Sequence, residues 1–429
     1  MKPVLYLALA ALCLAGMWLY VDRVLVAHQI FESNALGSPR GNLSDLYPRW
    51  LGSRELLLHY HDPYSREITK QIQAGYYGRV LDPSRPQDPT DQQAFAYPVY
   101  VAFLLAPTVI FSFCPVQAAF FWFLAALTVL SVFLWLPLLR WQVGWNTVAV
   151  FVLLTMASFA AAQGLKLQQL SLLVAFLLAG ALACISAERF FGAGILLALA
   201  TIKPQLSLPL VLWLLLWAVS EWRARWKLVA AFMGCLAALV GGGELLLPGW
   251  ISQFYAAMIA YRRYAPAGSL FEQILPRAIA IPLIAVLAVF LVGVCWQLRK
   301  CGSRDTRFAQ TTSLVLAVTL LLIPMMPPYN ELLLLPGMLL LARDWRELWK
   351  PGIAGKVLLA SVVVPLGWSW ASAIVLAAVS FFTPAAQNYW QMPLWTSVVL
   401  PIPVAACLGL LTWRHLSQRA QNTLLIAED

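Results

Sequence analysis

Residues 116–139 read VQAAFFWFLAALTVLSVFLWLPLL and hold no charged side chain. Coiled as a helix at about 1.5 Å per residue, such a run is long enough to cross a hydrocarbon core of roughly 30 Å. Similar runs recur along nearly the whole chain. Of its 429 residues 61% are hydrophobic and 11% charged, with a mean hydropathy of +0.75, a balance that no soluble globule can hide from water. In lipid every backbone amide must find its partner inside the protein, which a helix does by itself. The expectation is an all-α polytopic membrane protein.

The net charge of +10 does not gather into one face or tail, which argues against a nucleic-acid partner. Basic residues fall instead in short clusters between apolar runs: Arg223, Arg225 and Lys227; Arg299, Lys300, Arg304 and Arg307; Arg343, Arg346 and Lys350; Arg414 and Arg419. Under the positive-inside rule these mark cytoplasmic loops, and segments 249–277, 327–331 and 383–392 lie outside, with Trp250, Tyr255, Tyr389 and Trp390 as interfacial anchors. Lys2 and the apolar run to Tyr20 read as an uncleaved first span with its N-terminus inside. About a dozen helices are expected, both termini inside, in a single domain over 1–429. The first half leaves two arrangements open. Spans at 94–112, 116–139, 146–162 and 170–187, with 190–219 crossing once, put Arg140 outside and Lys166 inside. An odd number of crossings between 94 and 139 puts Arg140 and Arg189 inside and both Lys166 and Lys203 outside.

Residues 27–95 are rich in Pro, Gly, Asp and Arg and belong outside the lipid, as an extracytoplasmic loop carrying surface helices. Within it stands NLSDLYPRWLGSRELLLHYHDPY, residues 42–64. Ser44 or Asp45 can cap a helix with Pro48 in its first turn, and Leu46, Trp50, Leu57 and Leu58 give that helix an apolar side. Asp45 reads either as a plain N-cap or as a carboxylate held at the membrane boundary. Lys203 follows an apolar run and precedes a helix-breaking proline; it either snorkels to water or serves a site. Gln163, Gln168 and Gln169 cluster at a break and either line a cavity or bond between helices. Tyr329, Asn330 and Glu331 form a polar turn between two apolar runs. His59, His61 and Asp62 lack a third ligand at a known spacing, so no metal is expected. The seven cysteines are scattered without CxxC spacing.

An Asp-x-Tyr at Asp45–Tyr47, Asp62-Pro63-Tyr64 closing that stretch, Tyr97-Pro98, Gln169-Leu-Ser-Leu-Leu173, Thr201-Ile-Lys-Pro-Gln205, and Ser269-Leu270 with Arg277 occur in order along most of the chain. This set resembles the GT-C glycosyltransferases, specifically glycosyltransferase family 87, the polyprenyl-phosphate-mannose-dependent mannosyltransferases and their relatives. Where the family pattern has Gly-Gln and Asn-Gln pairs, this chain has Gln168-Gln169 and Ala267-Gly268. Pro327–Glu331 stands where some relatives carry paired histidines.

The resemblance implies a GT-C fold in the cytoplasmic membrane with an extracytoplasmic site. It implies a lipid-phosphate sugar as donor, mannose favoured, and a lipid or glycan hydroxyl as acceptor. No cofactor is implied, the partners are otherwise membrane lipids, and the protein is expected to be a monomer. Asp45 falls on the family's proposed catalytic base. Cations near a departing lipid phosphate can take up its charge, and Lys203, Arg49, Arg262 and Arg263 are the candidates. Tyr47, Tyr64, Tyr97, Gln169, Tyr329, Asn330 and Glu331 are the expected cavity residues. The rival class is a polytopic transporter or lipid flippase, which would more often show symmetry-related halves and several mid-span charges.

Overall fold

The computed structural model describes residues 2–37, 44–82, 84–264, 268–324, 327–350 and 352–428, and all regular structure among them is helical. Asn42 and Ala267 lie outside the described residues. Helix α1 (Lys2–Tyr20) runs on through a π-helical turn, Val21–Val26, into α2 (Ala27–Ala35) as one rod. The first residues of the polar segment, 27–35, thus continue this rod as helix.

Helices α3 (Leu46–His59) and α4 (Arg66–Tyr77) then cross closely at Gly75, where a Cβ would come within 1.8 Å of the Tyr47 hydroxyl. The expected span at 94–112 does not form. Only α5 (Val101–Leu105) and a 3-10 turn, Ala106–Thr108, are helical there, with the ring-locked backbone of Pro98 ahead of α5 and that of Pro107 inside the turn. They pack against α3, and Trp50 Nε1 donates to the Thr108 carbonyl at 3.3 Å.

The quoted apolar run lies within α6 (Phe113–Leu138). After it come α7 (Trp145–Met156) and α8 (Phe159–Lys166), bent by 57° at their junction. The bend frees backbone groups that find new partners: Trp370 Nε1 donates to Ala157 O at 3.1 Å, and Ser158 Oγ accepts from Ala161 N at 3.2 Å. Next are α9 (Leu170–Ser186), α10 (Phe190–Leu199) with a 3-10 turn Ala200–Ile202, α11 (Pro204–Val219) and α12 (Trp222–Leu246). A polar interlude holds α13 (Trp250–Tyr264) and α14 (Leu270–Ile274). The chain finishes with α15 (Arg277–Leu298), α16 (Thr306–Leu322), a 3-10 stretch Pro328–Leu334, α17 (Leu335–Trp349), α18 (Ile353–Val379), the short α19 (Leu394–Ser397) and α20 (Pro401–Glu428). Among the described residues six helices are long and apolar enough to cross a membrane, seven with the bent pair counted as one, and four more apolar helices are shorter. Without a hydrophobic drive between helices in lipid, close contact relies on small residues. Gly194 of α10 supplies one: a Cβ there would meet Leu228 O of α12 at 2.4 Å.

Bonds between loops decide which helix ends lie together. Arg140 Nη1 donates to Arg304 O at 2.9 Å, Arg304 pairs with Glu188 at 3.3 Å, and Arg343 donates to Leu139 O. Ser220 Oγ donates to Arg299 O at 2.7 Å and Arg225 Nη2 to Cys301 O at 3.0 Å. These basic loops therefore share one end of the bundle. At the other end Ser44 Oγ donates to Leu167 O at 3.1 Å and Tyr100 OH to Thr201 O at 2.9 Å. Arg140 thus lies at the basic end and Lys166 and Lys203 at the other, the grouping that the second of the two arrangements requires. Residues 190–219 are a hairpin and not a single crossing, with the rings of Phe190 and Trp217 6.1 Å apart. Trp250, expected as an interfacial anchor, is instead buried edge-on against Tyr100, while Tyr255 and Tyr389 are exposed.

Candidate active site

Three helices begin side by side at the end of the bundle away from the basic loops, and their N-cap residues are Asp45 for α3, Gln169 for α9 and Lys203 for α11. Local sequence makes each start. Gln168 takes the left-handed conformation (φ 46°) that closes α8, with Gln168 N donating to Leu165 O at 3.1 Å and Gln169 N to Gly164 O at 2.8 Å. Lys203 leaves helical geometry, and Pro204, which has no N–H to lose, opens α11. Ser44 does the capping at α3: its Oγ accepts from Leu46 N at 3.0 Å. The Asp45 carboxylate makes no cap bond and is left for other partners.

Those partners form a chain across the three helix starts. Asp45 Oδ2 accepts from Gln169 Nε2; Gln169 Oε1 accepts from Lys203 Nζ at 2.8 Å. Lys203 Nζ also donates to Ser171 Oγ at 2.6 Å, and Ser171 Oγ to Asn330 Oδ1 at 2.8 Å. Gln169 and Lys203 are 2% and 6% exposed, so the ammonium has given up most of its water and relies on these oxygens. Among the described residues the other carboxylate oxygen, Asp45 Oδ1, has one long contact, from Tyr76 OH at 3.4 Å.

Aromatic rings frame the two cations. The Arg49 guanidinium lies 4.6 Å from the centre of Tyr97, and Lys203 Nζ lies 5.8 Å from Tyr97 and 5.2 Å from Tyr329, distances suited to cation–π attraction. Tyr64 OH holds Tyr97 in place by donating to its carbonyl at 2.6 Å. Tyr47 meets Phe113 edge-on at 4.9 Å and so supports α3 from behind. Arg49 donates through Nη1 to Asp45 O, but its Nε is buried without a hydrogen-bond partner, as is Glu331 Oε1.

The structure thus joins Asp45, Arg49, Tyr64, Tyr97, Gln169, Lys203, Tyr329 and Asn330 through these contacts. Glu331 is buried next to Asn330, and its Oε1 has no hydrogen-bond partner among the described residues. Arg262 and Arg263 are a departure from expectation, exposed in the last turn of α13. Their neighbour Tyr261 is the residue in electrostatic reach of Arg49, Asp45 and Tyr97, and burial pushes its phenol up to about 12. Gln168 serves the backbone, its amide donating to Leu165 O at 2.6 Å. Four neighbours were not picked out from the sequence: Tyr76, Asp91, Ser171 and Tyr261. Burial pushes the Asp91 carboxyl up, and its oxygens accept from Gln93 N at 2.9 Å and Gln93 Nε2 at 2.8 Å. A carboxylate with one oxygen anchored and the other nearly free, beside two cations in a low-dielectric recess, can accept a proton while negative charge develops close by.

In comparison with known proteins, glycosyltransferase family 87 matches residues 95–324, more than half of the chain. The matched stretch contains Tyr97, Gln169, Lys203 and Tyr261; Asp45 and Tyr329–Glu331 lie outside it. No curated protein matches the chain.

Proposed function

Because the chain belongs to glycosyltransferase family 87, we propose that it moves a sugar, mannose favoured, from a polyprenyl phosphate to a hydroxyl of a lipid or glycan acceptor. The observation that carries this reading is the Asp45–Gln169–Lys203 chain, which couples a carboxylate to a buried ammonium through one amide. The acceptor hydroxyl attacks the sugar C1 and passes its proton to Asp45 Oδ1. The bond from C1 to the phosphate oxygen breaks, and the leaving phosphate keeps the electron pair. Lys203 and Arg49, whose Nε has a donor to spare, take up that charge. One displacement on one face inverts the anomeric centre.

Sidedness follows from the charge pattern. With the basic end cytoplasmic, the Asp45 end faces outward from the cytoplasmic membrane. Read this way, the path from α1 through α6, α7–α8, α9, α10, α11, α12, α15, α16, α17, α18 and α20 makes twelve passes.

The test is incubation of purified protein in lipid vesicles with radiolabelled polyprenyl-phosphate mannose and a membrane lipid extract. Label is expected in a new product. Movement of intact donor between leaflets with no product would replace the transferase reading with a flippase.

A further inference from the structure

The end of α3 carries a second convergence of polar side chains, separate from the Asp45 chain. Tyr60 takes the left-handed conformation (φ 59°), which a non-glycine residue adopts only when its surroundings hold it there. The chain folds back so that His61 N donates to Glu55 O at 3.1 Å. His59, one helical turn after Glu55, and His61, beyond the turn, both aim Nδ1 at the same oxygen: Glu55 Oε2 lies 3.1 Å from His59 Nδ1 and 3.0 Å from His61 Nδ1. Three ligand atoms thus lie within 4.8 Å of one another. The sequence reading lacked a third ligand for the histidines; Glu55 is that group.

We propose that Glu55, His59 and His61 bind a zinc ion. Around four-coordinate zinc with bonds near 2.0–2.2 Å, neighbouring ligand atoms stand roughly 3.3 Å apart, so both contacts to Glu55 need open by only a few tenths of an ångström. Two imidazoles and one carboxylate suit zinc and disfavour magnesium or calcium, which take oxygen donors. The Glu55 side chain is 13% exposed and the histidines 49% and 57%, so the ion enters from solvent and water completes its shell. Bound there, it ties the end of α3 to the turn that follows. In that turn Asp62 Oδ1 accepts from Tyr64 N at 2.9 Å, and Tyr64 OH holds the Tyr97 carbonyl. The ion is therefore a brace for the ring that Arg49 and Lys203 face, and its existence does not depend on the transfer reaction.

Full-length protein without a histidine tag is stripped with chelator and titrated with zinc chloride. One equivalent is expected to bind and raise the unfolding temperature, with no response to magnesium. His59→Gln, His61→Ala and Glu55→Gln are each expected to unfold like the parent in chelator and to weaken zinc binding at least about tenfold, as loss of a ligand must. Absence of saturable zinc binding, or parental affinity retained in both histidine variants, would overturn the site. Cobalt substitution gives a second readout: visible d–d bands in the parent that vanish in the variants are expected, and bands unchanged in them would equally count against it.

Discussion

Three acidic residues stand as candidates for the base, Asp45, Asp91 and Glu331, and their partners separate them. Asp91 has both oxygens engaged by Gln93, and Glu331 has a buried oxygen with no hydrogen-bond partner among the described residues. Asp45 alone of the three is linked to Lys203 through an amide while keeping an oxygen nearly free. Asp45→Asn retains an acceptor for the Gln169 amide, so the local fold is expected to survive, while turnover falls on the order of 10²–10⁴-fold with donor binding kept. Asp45→Glu pushes the carboxylate one methylene onward and is expected to recover little. Single-turnover transfer and an equilibrium donor-binding assay check both, and near-parental turnover in Asp45→Asn would end the assignment of the base. Lys203, Gln169 and Asn330 were legible in the sequence because each is a polar residue at a helix break between apolar runs, and Asp45 because it stands on the Asp-x-Tyr that carries the resemblance. Tyr261 was not: consecutive residues on a helix point about 100° apart, so the charge of Arg262 and Arg263 drew attention to the wrong side of α13. Ser171 and Tyr76 are ordinary residue types that only the fold brings to the site.

At the level of elements, the turns between helices were the hardest to read. Residues 190–219 look like one long broken span because α10 and α11 are each short, of 10 and 16 residues, and it is the contact of Phe190 with Trp217 that shows the hairpin. The segment at 94–112 is apolar enough to suggest a span, yet two prolines and packing against α3 leave it as one short helix and a 3-10 turn. The stretch after α4 is tied by an ion pair: Arg79 Nη1 donates to Asp88 Oδ2 at 2.7 Å, and Asp82 N donates to the same oxygen at 2.8 Å. The Arg79 hydrogen bond and then the Asp82 amide hold the Asp88 carboxyl down from the ordinary 3.8 to about 2. A carboxyl that is more acidic when folded stabilises above its unfolded value, and the gain is lost as the pH falls through the folded one. The turn is expected to hold at pH 4 and above and to open progressively toward about pH 2. Pepsin cleavage near residue 85 should rise over that window in the parent and be already high and nearly flat in Asp88→Asn; an identical profile in both would remove the pair from this role.

For the whole molecule, the segregation of basic loops to one end predicts an orientation. In a cysteine-free background, Pro86→Cys in the exposed turn and Gly302→Cys, where a side chain meets open space, mark the two ends. A membrane-impermeant maleimide added to intact cells is expected to label position 86 and spare 302, and the reverse pattern would invert the protein. The meeting of three helix starts at one point has a further consequence. Each helix of this length presents about half a positive elementary charge at its N-terminus, from aligned peptide dipoles. The starts of α3, α9 and α11 therefore build a standing positive potential of backbone origin, which no side-chain substitution or proton exchange can discharge. Lys203→Met is expected to weaken donor binding by about 1.5–3 kcal/mol, the worth of a charge-assisted hydrogen bond, and an unchanged donor affinity would exclude phosphate contact. The remaining affinity for an anion belongs to Arg49 and the peptide dipoles, so a phosphate-free analogue of the donor should lose far more than the lysine variant does.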